Sequence, residues 1–116
     1  MTKTKVKRSK TDKLLKIACY NIRSLYPKIE DVRYILKRND YDVLCINETW
    51  LDDTIPDNDV HVDGYVIHRN DRNRHGGGVC MYVRNSFKCK QISNRNSFNI
   101  ESLWYELNIN SEKFAI

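Results

Sequence analysis

The chain has 116 residues, 41% of them hydrophobic and 30% charged, with a net charge of +5 at neutral pH. That length allows one domain or part of one, with enough apolar residues for a core. No apolar run approaches the roughly 20 residues of a membrane span, and residues 1–13 hold no apolar stretch of the kind a secretory signal needs.

The positive charge is unevenly placed. Residues 1–16 carry seven basic side chains (Lys3, Lys5, Lys7, Arg8, Lys10, Lys13 and Lys16) and one acid, Asp12; the rest holds 13 basic and 14 acidic residues and is close to neutral. Residues 1–13 are therefore expected to be a basic, disordered leader. Such an arm touches nucleic acid, serves as a nuclear address, or is a solvated tail without a partner.

Residues 14–20 form an apolar run that reads as a strand, and Asn21 falls where the run stops. An Asn amide at a strand end can bond a phosphate oxygen, orient a metal-bound carboxylate, or simply turn the chain. Residues 28–38 have helical spacing: Ile29, Val32, Ile35 and Leu36 share one face. Pro27 suits the first turn, Glu30 and Asp31 the positive end, and Lys37 and Arg38 the negative end. Residues 43–46 read as a second buried strand, with Glu48 just past its end. Strand, helix, strand at this length predicts a parallel pair with a right-handed crossover. Ligands in open α/β sheets sit at the carboxyl ends of strands. Glu48 is thus placed to hold a hard cation such as Mg²⁺, against the plainer reading of a surface carboxylate.

Residues 52–63 are acidic and turn-rich. Asp57, Asn58 and Asp59 hint at a calcium loop, but the spaced Gly and distal Glu are missing, and a solvated loop is expected. Residues 64–69 and 79–84 alternate as strands, with 70–78 as the turn between them. Gly76-Gly77-Gly78 permits positive φ or close backbone approach. Arg69, Arg72, Arg74 and His75 cluster on this turn, which suits phosphate contact or is a plain charged hairpin. Residues 87–92 and 100–109 read as further strands, and 113–116 as the last; there is no internal repeat.

Cys19, Cys45, Cys80 and Cys89 lie in strand-like runs without Cys-x-x-Cys spacing, so they are expected to be buried thiols in a reducing compartment rather than zinc ligands. His61 and His68 have no metal partner in the sequence. His75-Gly76-Gly77-Gly78 also matches an esterase oxyanion loop, but no Gly-x-Ser-x-Gly elbow accompanies it.

Four segments together carry a family resemblance. They are Leu15-Lys16-Ile17-Ala18-Cys19-Tyr20-Asn21-Ile22-Arg23-Ser24-Leu25, Asn47-Glu48-Thr49-Trp50-Leu51, Arg69-Asn70-Asp71-Arg72 with Gly76-Gly77-Gly78-Val79, and Glu101-Ser102-Leu103-Trp104-Tyr105-Glu106-Leu107. In this order and spacing they resemble the opening motifs of the endonuclease/exonuclease/phosphatase superfamily, most of all the endonuclease domain of non-LTR (LINE-type) retrotransposons. The resemblance covers residues 14–116. It implies an α/β fold: the N-terminal half of a four-layered α/β sandwich, two mixed sheets flanked by helices.

Carried over by position, the resemblance implies that Asn21 lies near the scissile phosphate. It implies that Glu48 binds the divalent metal, Mg²⁺ or Mn²⁺, and that Arg23, Arg69, Arg72 and Arg74 face nucleic acid. The family's later motifs (a tyrosine, a Gly-Asp-Phe-Asn-like pair and a Ser-Asp-His-like end) do not occur in these residues. The expectation is a partial metal-dependent DNA-nicking domain, inactive by itself. Its partners would be DNA, the missing C-terminal half and a downstream reverse transcriptase, with no membrane, in the nucleus or cytoplasm. The alternatives are a degenerate remnant that only binds nucleic acid, or another phosphatase branch of the superfamily.

Overall fold

The structure is a computed structural model and describes residues 2–7, 14–91, 105–109 and 112–115. Two sheets and one α-helix make up the regular structure of these residues. The larger sheet contains β1 (Thr2–Lys7), β2 (Leu14–Asn21), β3 (Val43–Asn47), β4 (Tyr65–Asn70) and β5 (Val79–Arg84), in the order β1-β2-β3-β5-β4. The smaller contains β6 (Lys88–Gln91), β7 (Tyr105–Ile109) and β8 (Glu112–Ala115).

Between β2 and β3 the chain makes a 3₁₀ turn, Tyr26–Lys28, and then α1, Ile29–Asn39. Pro27 sits in the 3₁₀ turn, where its missing N–H costs nothing. The helix buries Ile29, Val32 and Leu36, with Ile35 partly buried beside them. It ends at Asp40 in the left-handed conformation (φ 56°), whose N–H reaches back to the Leu36 carbonyl. The crossover brings β3 beside β2 in parallel, with Ile17 opposite Val43 and Asn21 opposite Asn47, as the sequence pattern predicts. β4 and β5 form the expected antiparallel hairpin, and β5 returns antiparallel to β3.

The period-two pattern splits these strands between two apolar clusters. Ala18, Leu44, Ile46, Cys80 and Tyr82 face α1, in the cluster that holds Val32, Leu36 and Leu51. Leu15, Val43, Met81 and Val83 point to the opposite face and meet Tyr105 of β7. The sheet is therefore covered by the helix on one side and approached by the second sheet on the other. This is a mixed α/β arrangement of part of a layered sandwich.

Three sequence expectations differ from the structure. Residues 2–7, read as the start of a disordered leader, form β1 and pair antiparallel with β2 from Thr2 opposite Cys19 to Lys7 opposite Leu14. Thr2, Thr4 and Val6 alternate with Lys3, Lys5 and Lys7, a strand period that the high charge obscured. The segment 52–63, read as solvated, buries Ile55, Val60 and Val62 in the main cluster around a 3₁₀ turn, Asp57–Val60. The cysteines, read as uniformly buried, are so only at Cys80; Cys19, Cys45 and Cys89 are half-buried, and all four are free thiols. Burial pushes the Cys80 thiol up and raises that of Cys45, beside Cys19, to about 12, which makes both poor nucleophiles near neutral pH. The Glu101-to-Trp104 part of the fourth motif lies outside the described residues, as do residues 8–13.

Candidate functional site at the carboxyl ends of β2 and β3

Asn21 closes β2 and Glu48 follows β3 directly, so parallel pairing brings the two strand ends side by side. Three backbone bonds then zip the loop after β2 onto the loop after β3. The N–H groups of Ile22, Ser24 and Leu25 donate to the carbonyls of Asn47, Glu48 and Thr49 at 3.0, 2.9 and 2.8 Å. Lys28 stiffens the first loop from below, its Nζ donating to the carbonyls of Ile22 (2.6 Å) and Arg23 (3.0 Å).

The backbone here departs from ordinary strand and helix geometry. Arg23, Ser24, Glu48 and Trp50 all have positive φ, at 51°, 84°, 58° and 54°. Non-glycine residues take this region rarely, and each instance costs on the order of 1–3 kcal/mol unless the surroundings fix it. Four such residues in two adjacent loops mark this end of the sheet as the place where conformation is over-determined.

The turn of the β4–β5 hairpin completes the enclosure. Thr49 and Trp50 donate their N–H groups to the Gly78 and Gly77 carbonyls at 3.2 and 3.0 Å. Such closeness requires glycine. A Cβ on Gly78 would stand 2.5 Å from the Thr49 hydroxyl, and one on Gly77 would run into the Arg72 guanidinium; both residues also have positive φ, 87° and 72°. Thr49 is wholly buried beneath this contact.

Glu48 is half-buried and well anchored. Its Oε2 accepts from the Trp50 indole N–H at 2.9 Å and from the Gly77 backbone N–H at 2.6 Å. The Trp50 bond first and the Gly77 bond second hold its carboxyl below the ordinary carboxylate range, and the nearby charges of Arg72 and Arg23 act in the same direction. Glu48 is therefore anionic throughout the neutral range, the state a cation ligand needs.

The sequence-predicted site residues separate into two groups. Asn21 and Glu48 come together on adjacent strand ends, and Arg23 and Arg72 lie near enough to bias the Glu48 carboxyl. Arg74 is exposed on the hairpin turn, with a loose 3.5 Å contact to Asp52. Arg69 is different. Its Nε and Nη2 donate to the two Asp71 carboxylate oxygens (3.2 and 2.6 Å), Nη2 also to the Asp52 carbonyl (3.0 Å), and Nη1 to the Ile55 carbonyl (2.7 Å) and Asp57 (3.0 Å). A guanidinium has five N–H donors, and five acceptors of this chain meet them. Arg69, with 13% of its side chain exposed, is a clamp on the segment after Glu48 rather than a group turned to nucleic acid. Thr49 and Trp50 entered the sequence reading only as part of a motif and Lys28 only as a helix residue, without these roles; the bonds of Trp50 and Thr49 depend on positive φ at non-glycine residues, for which the sequence has no signal.

Divalent metal can be tested against this geometry. Among the described residues no group of three or more His, Cys, Asp or Glu side chains converges on one point, so a zinc-type site is not formed there. Mg²⁺ is commonly held by one or two carboxylates together with waters and substrate phosphate oxygens. An anchored anionic Glu48, next to the strand end that carries Asn21, fits that pattern.

Comparison with known proteins agrees with this architecture. No curated protein sequence matches the chain. Among solved structures, it is similar to an AP endonuclease from Archaeoglobus fulgidus, with 22% identity and a TM-score of 0.59 over 87% of this chain and 39% of that one. It is similar to the 3′ phosphatase NExo from Neisseria, solved with a product DNA hairpin: 17% identity, TM-score 0.64, 87% of this chain and 40% of that one. It is also similar to the AP endonuclease LMAP from Leishmania major, with 22% identity and a TM-score of 0.61 over 84% and 37%. The chain thus spans about two fifths of the structures it matches, and at these identities the likeness is one of fold. The family model for the Endonuclease/Exonuclease/phosphatase family matches residues 18–115, and with that span of agreement over a sheet whose strand ends carry Asn21 and Glu48, the chain belongs to this family.

Proposed function

We propose that this chain carries the metal-binding side of a divalent-metal-dependent phosphodiesterase site that acts on DNA, of the kind used for nicking by LINE-type retrotransposon endonucleases. The observation that carries the reading is Glu48: a carboxylate at the end of β3, held anionic by Trp50 and Gly77 and set beside the Asn21 strand end. Membership of the family, and neighbours named as DNA-processing enzymes, support DNA as the substrate.

In this reading Glu48 holds Mg²⁺ or Mn²⁺, which supplies charge stabilisation at the phosphoryl oxygens when bound. Asn21 donates its amide to a phosphate oxygen and fixes the reacting group against the strand end. Arg23, Arg72 and Arg74 follow the backbone phosphates as cations. Arg69 supports the loops instead. A single carboxylate and a single amide do not align a water and stabilise a leaving oxygen together, so the chain alone is proposed to be inactive and to depend on further residues, in the LINE reading from a C-terminal half followed by a reverse transcriptase. A second reading, a 3′ phosphatase acting on DNA ends, is favoured by the likeness to the Neisseria enzyme; it uses the same two residues.

The test is a plasmid-nicking assay in Mg²⁺, on the chain alone and on the longest product of its reading frame, beside a 3′-phosphorylated duplex. The longer product is expected to nick. Glu48→Ala should abolish nicking, and Asn21→Ala should lower turnover by about 10²–10³ while DNA binding persists, the effect of removing one stabilising donor. Activity retained in Glu48→Ala sinks the assignment. Cleavage by the chain alone sinks its proposed dependence on further residues. Phosphate release without nicking selects the second reading.

A further inference from the structure

We infer that Trp50 is a positioning residue for the Glu48 carboxylate. Its indole N–H and the Gly77 N–H converge on Oε2 and hold the carboxylate in one orientation for a divalent cation. This rests on the reading of Glu48 as the metal ligand.

The geometry has three parts. Both donors reach one oxygen, at 2.9 and 2.6 Å, from different segments of the chain. Trp50 is itself fixed: its φ is 54°, and its N–H is bound to the Gly77 carbonyl at 3.0 Å. Trp50 and Gly77 thus bond each other through the backbone and bond Glu48 through the indole and the amide, a closed ring of contacts around one carboxylate. At residue 78 the hairpin turn comes so close that a Cβ would stand 2.5 Å from the Thr49 hydroxyl. An indole has one N–H and no acceptor, so it can serve a carboxylate but cannot compete with it for a cation. With Oε2 engaged by two donors, the carboxylate is less open to bidentate coordination. That favours the small octahedral cations Mg²⁺ and Mn²⁺, which keep their waters, over Ca²⁺, which takes bidentate carboxylates readily. Groups that orient a metal ligand in this way commonly alter metal affinity by about 10–100-fold when removed.

The experiment uses the 116-residue chain labelled with ¹⁵N and titrated with Mn²⁺, whose paramagnetism broadens nearby amide signals even at weak binding. In the unmodified chain, broadening should centre on residues 47–50 and 76–78 and fade in Glu48→Ala. Trp50→Phe should weaken Mn²⁺ binding about tenfold and narrow the preference for Mn²⁺ over Ca²⁺. Trp50→His, which restores a ring N–H, should recover part of the affinity. If Trp50→Phe binds Mn²⁺ as tightly as the unmodified chain while Glu48→Ala does not bind, the inference is wrong and the reading of Glu48 stands. If broadening is unchanged in Glu48→Ala, the reading of Glu48 fails first. Should Trp50→Phe not fold, the unmodified chain decides: its Trp50 indole proton must shift when Glu48 becomes Ala, and an unmoved indole signal overturns the inference.

Discussion

Arg69 and Arg72 are three positions apart and look equivalent in the sequence, yet they do different things. The difference lies in where acceptors are. Those of Arg69 come from Asp52, Ile55, Asp57 and Asp71, residues that no local pattern associates with it. Arg72 instead stands over Gly77 and biases Glu48. A charged cluster in a sequence therefore gives the sign of a surface but not what each of its members engages. Lysine keeps the charge and loses the planar fork. Arg69→Lys is thus expected to lower stability by about 1–2 kcal/mol, because part-buried carbonyls and the half-buried Asp71 carboxylate lose donors. Urea unfolding measures this. The same substitution should leave the salt dependence of DNA binding unchanged, whereas Arg74→Lys should leave stability nearly unchanged. A normal unfolding midpoint with weakened DNA binding in Arg69→Lys would return Arg69 to the nucleic-acid surface.

At the scale of elements, the β2–α1–β3 unit and the β4–β5 hairpin were legible because each has a clean period: two in the strands, 3.6 in the helix. Their pairing followed from chain length alone, and with it the meeting of Asn21 and Glu48. The segment after Glu48 was not legible. Leu51, Ile55, Val60 and Val62 are buried, but their spacing fits neither period, so burial there comes from Arg69 and the 3₁₀ turn rather than from regular structure. The triple glycine was legible as a need for close approach, though not as to what approaches. That need can be measured. Gly78→Ala places a Cβ 2.5 Å from the buried Thr49 hydroxyl at a φ of 87°, and should cost about 2 kcal/mol. Gly76→Ala meets nothing within 4 Å and should be close to neutral in the same unfolding experiment. Equal effects at the two positions would show that the turn relaxes away from Thr49 and that the glycines are not needed for contact.

For the whole molecule, the basic leader and the sheet turn out to be linked. β1 is an edge strand, antiparallel to β2, so its first residue, Thr2, lies opposite Cys19, two positions before Asn21. Residues 3–7 thus run along the sheet edge from the candidate site outward. Edge strands rich in lysine resist edge-to-edge pairing with other chains, and lysines that neutralise DNA phosphates make binding salt-dependent. The strand therefore has two consequences that one deletion separates. Removing residues 1–10 exposes the β2 edge, whose Leu15 and Ile17 belong to the second apolar cluster. The shortened chain is expected to self-associate at concentrations where the full chain is monodisperse, seen by sedimentation velocity. Its log–log slope of DNA affinity against salt should fall by about 0.9 for each phosphate that is no longer neutralised. Replacing Lys3, Lys5 and Lys7 with Thr tests the two effects apart, because Thr keeps the strand propensity and removes the charge. That variant should show the shallower slope and keep β1 paired. If its slope matches that of the full chain, the leader acts on the fold alone and DNA is met by the arginines of the two loops.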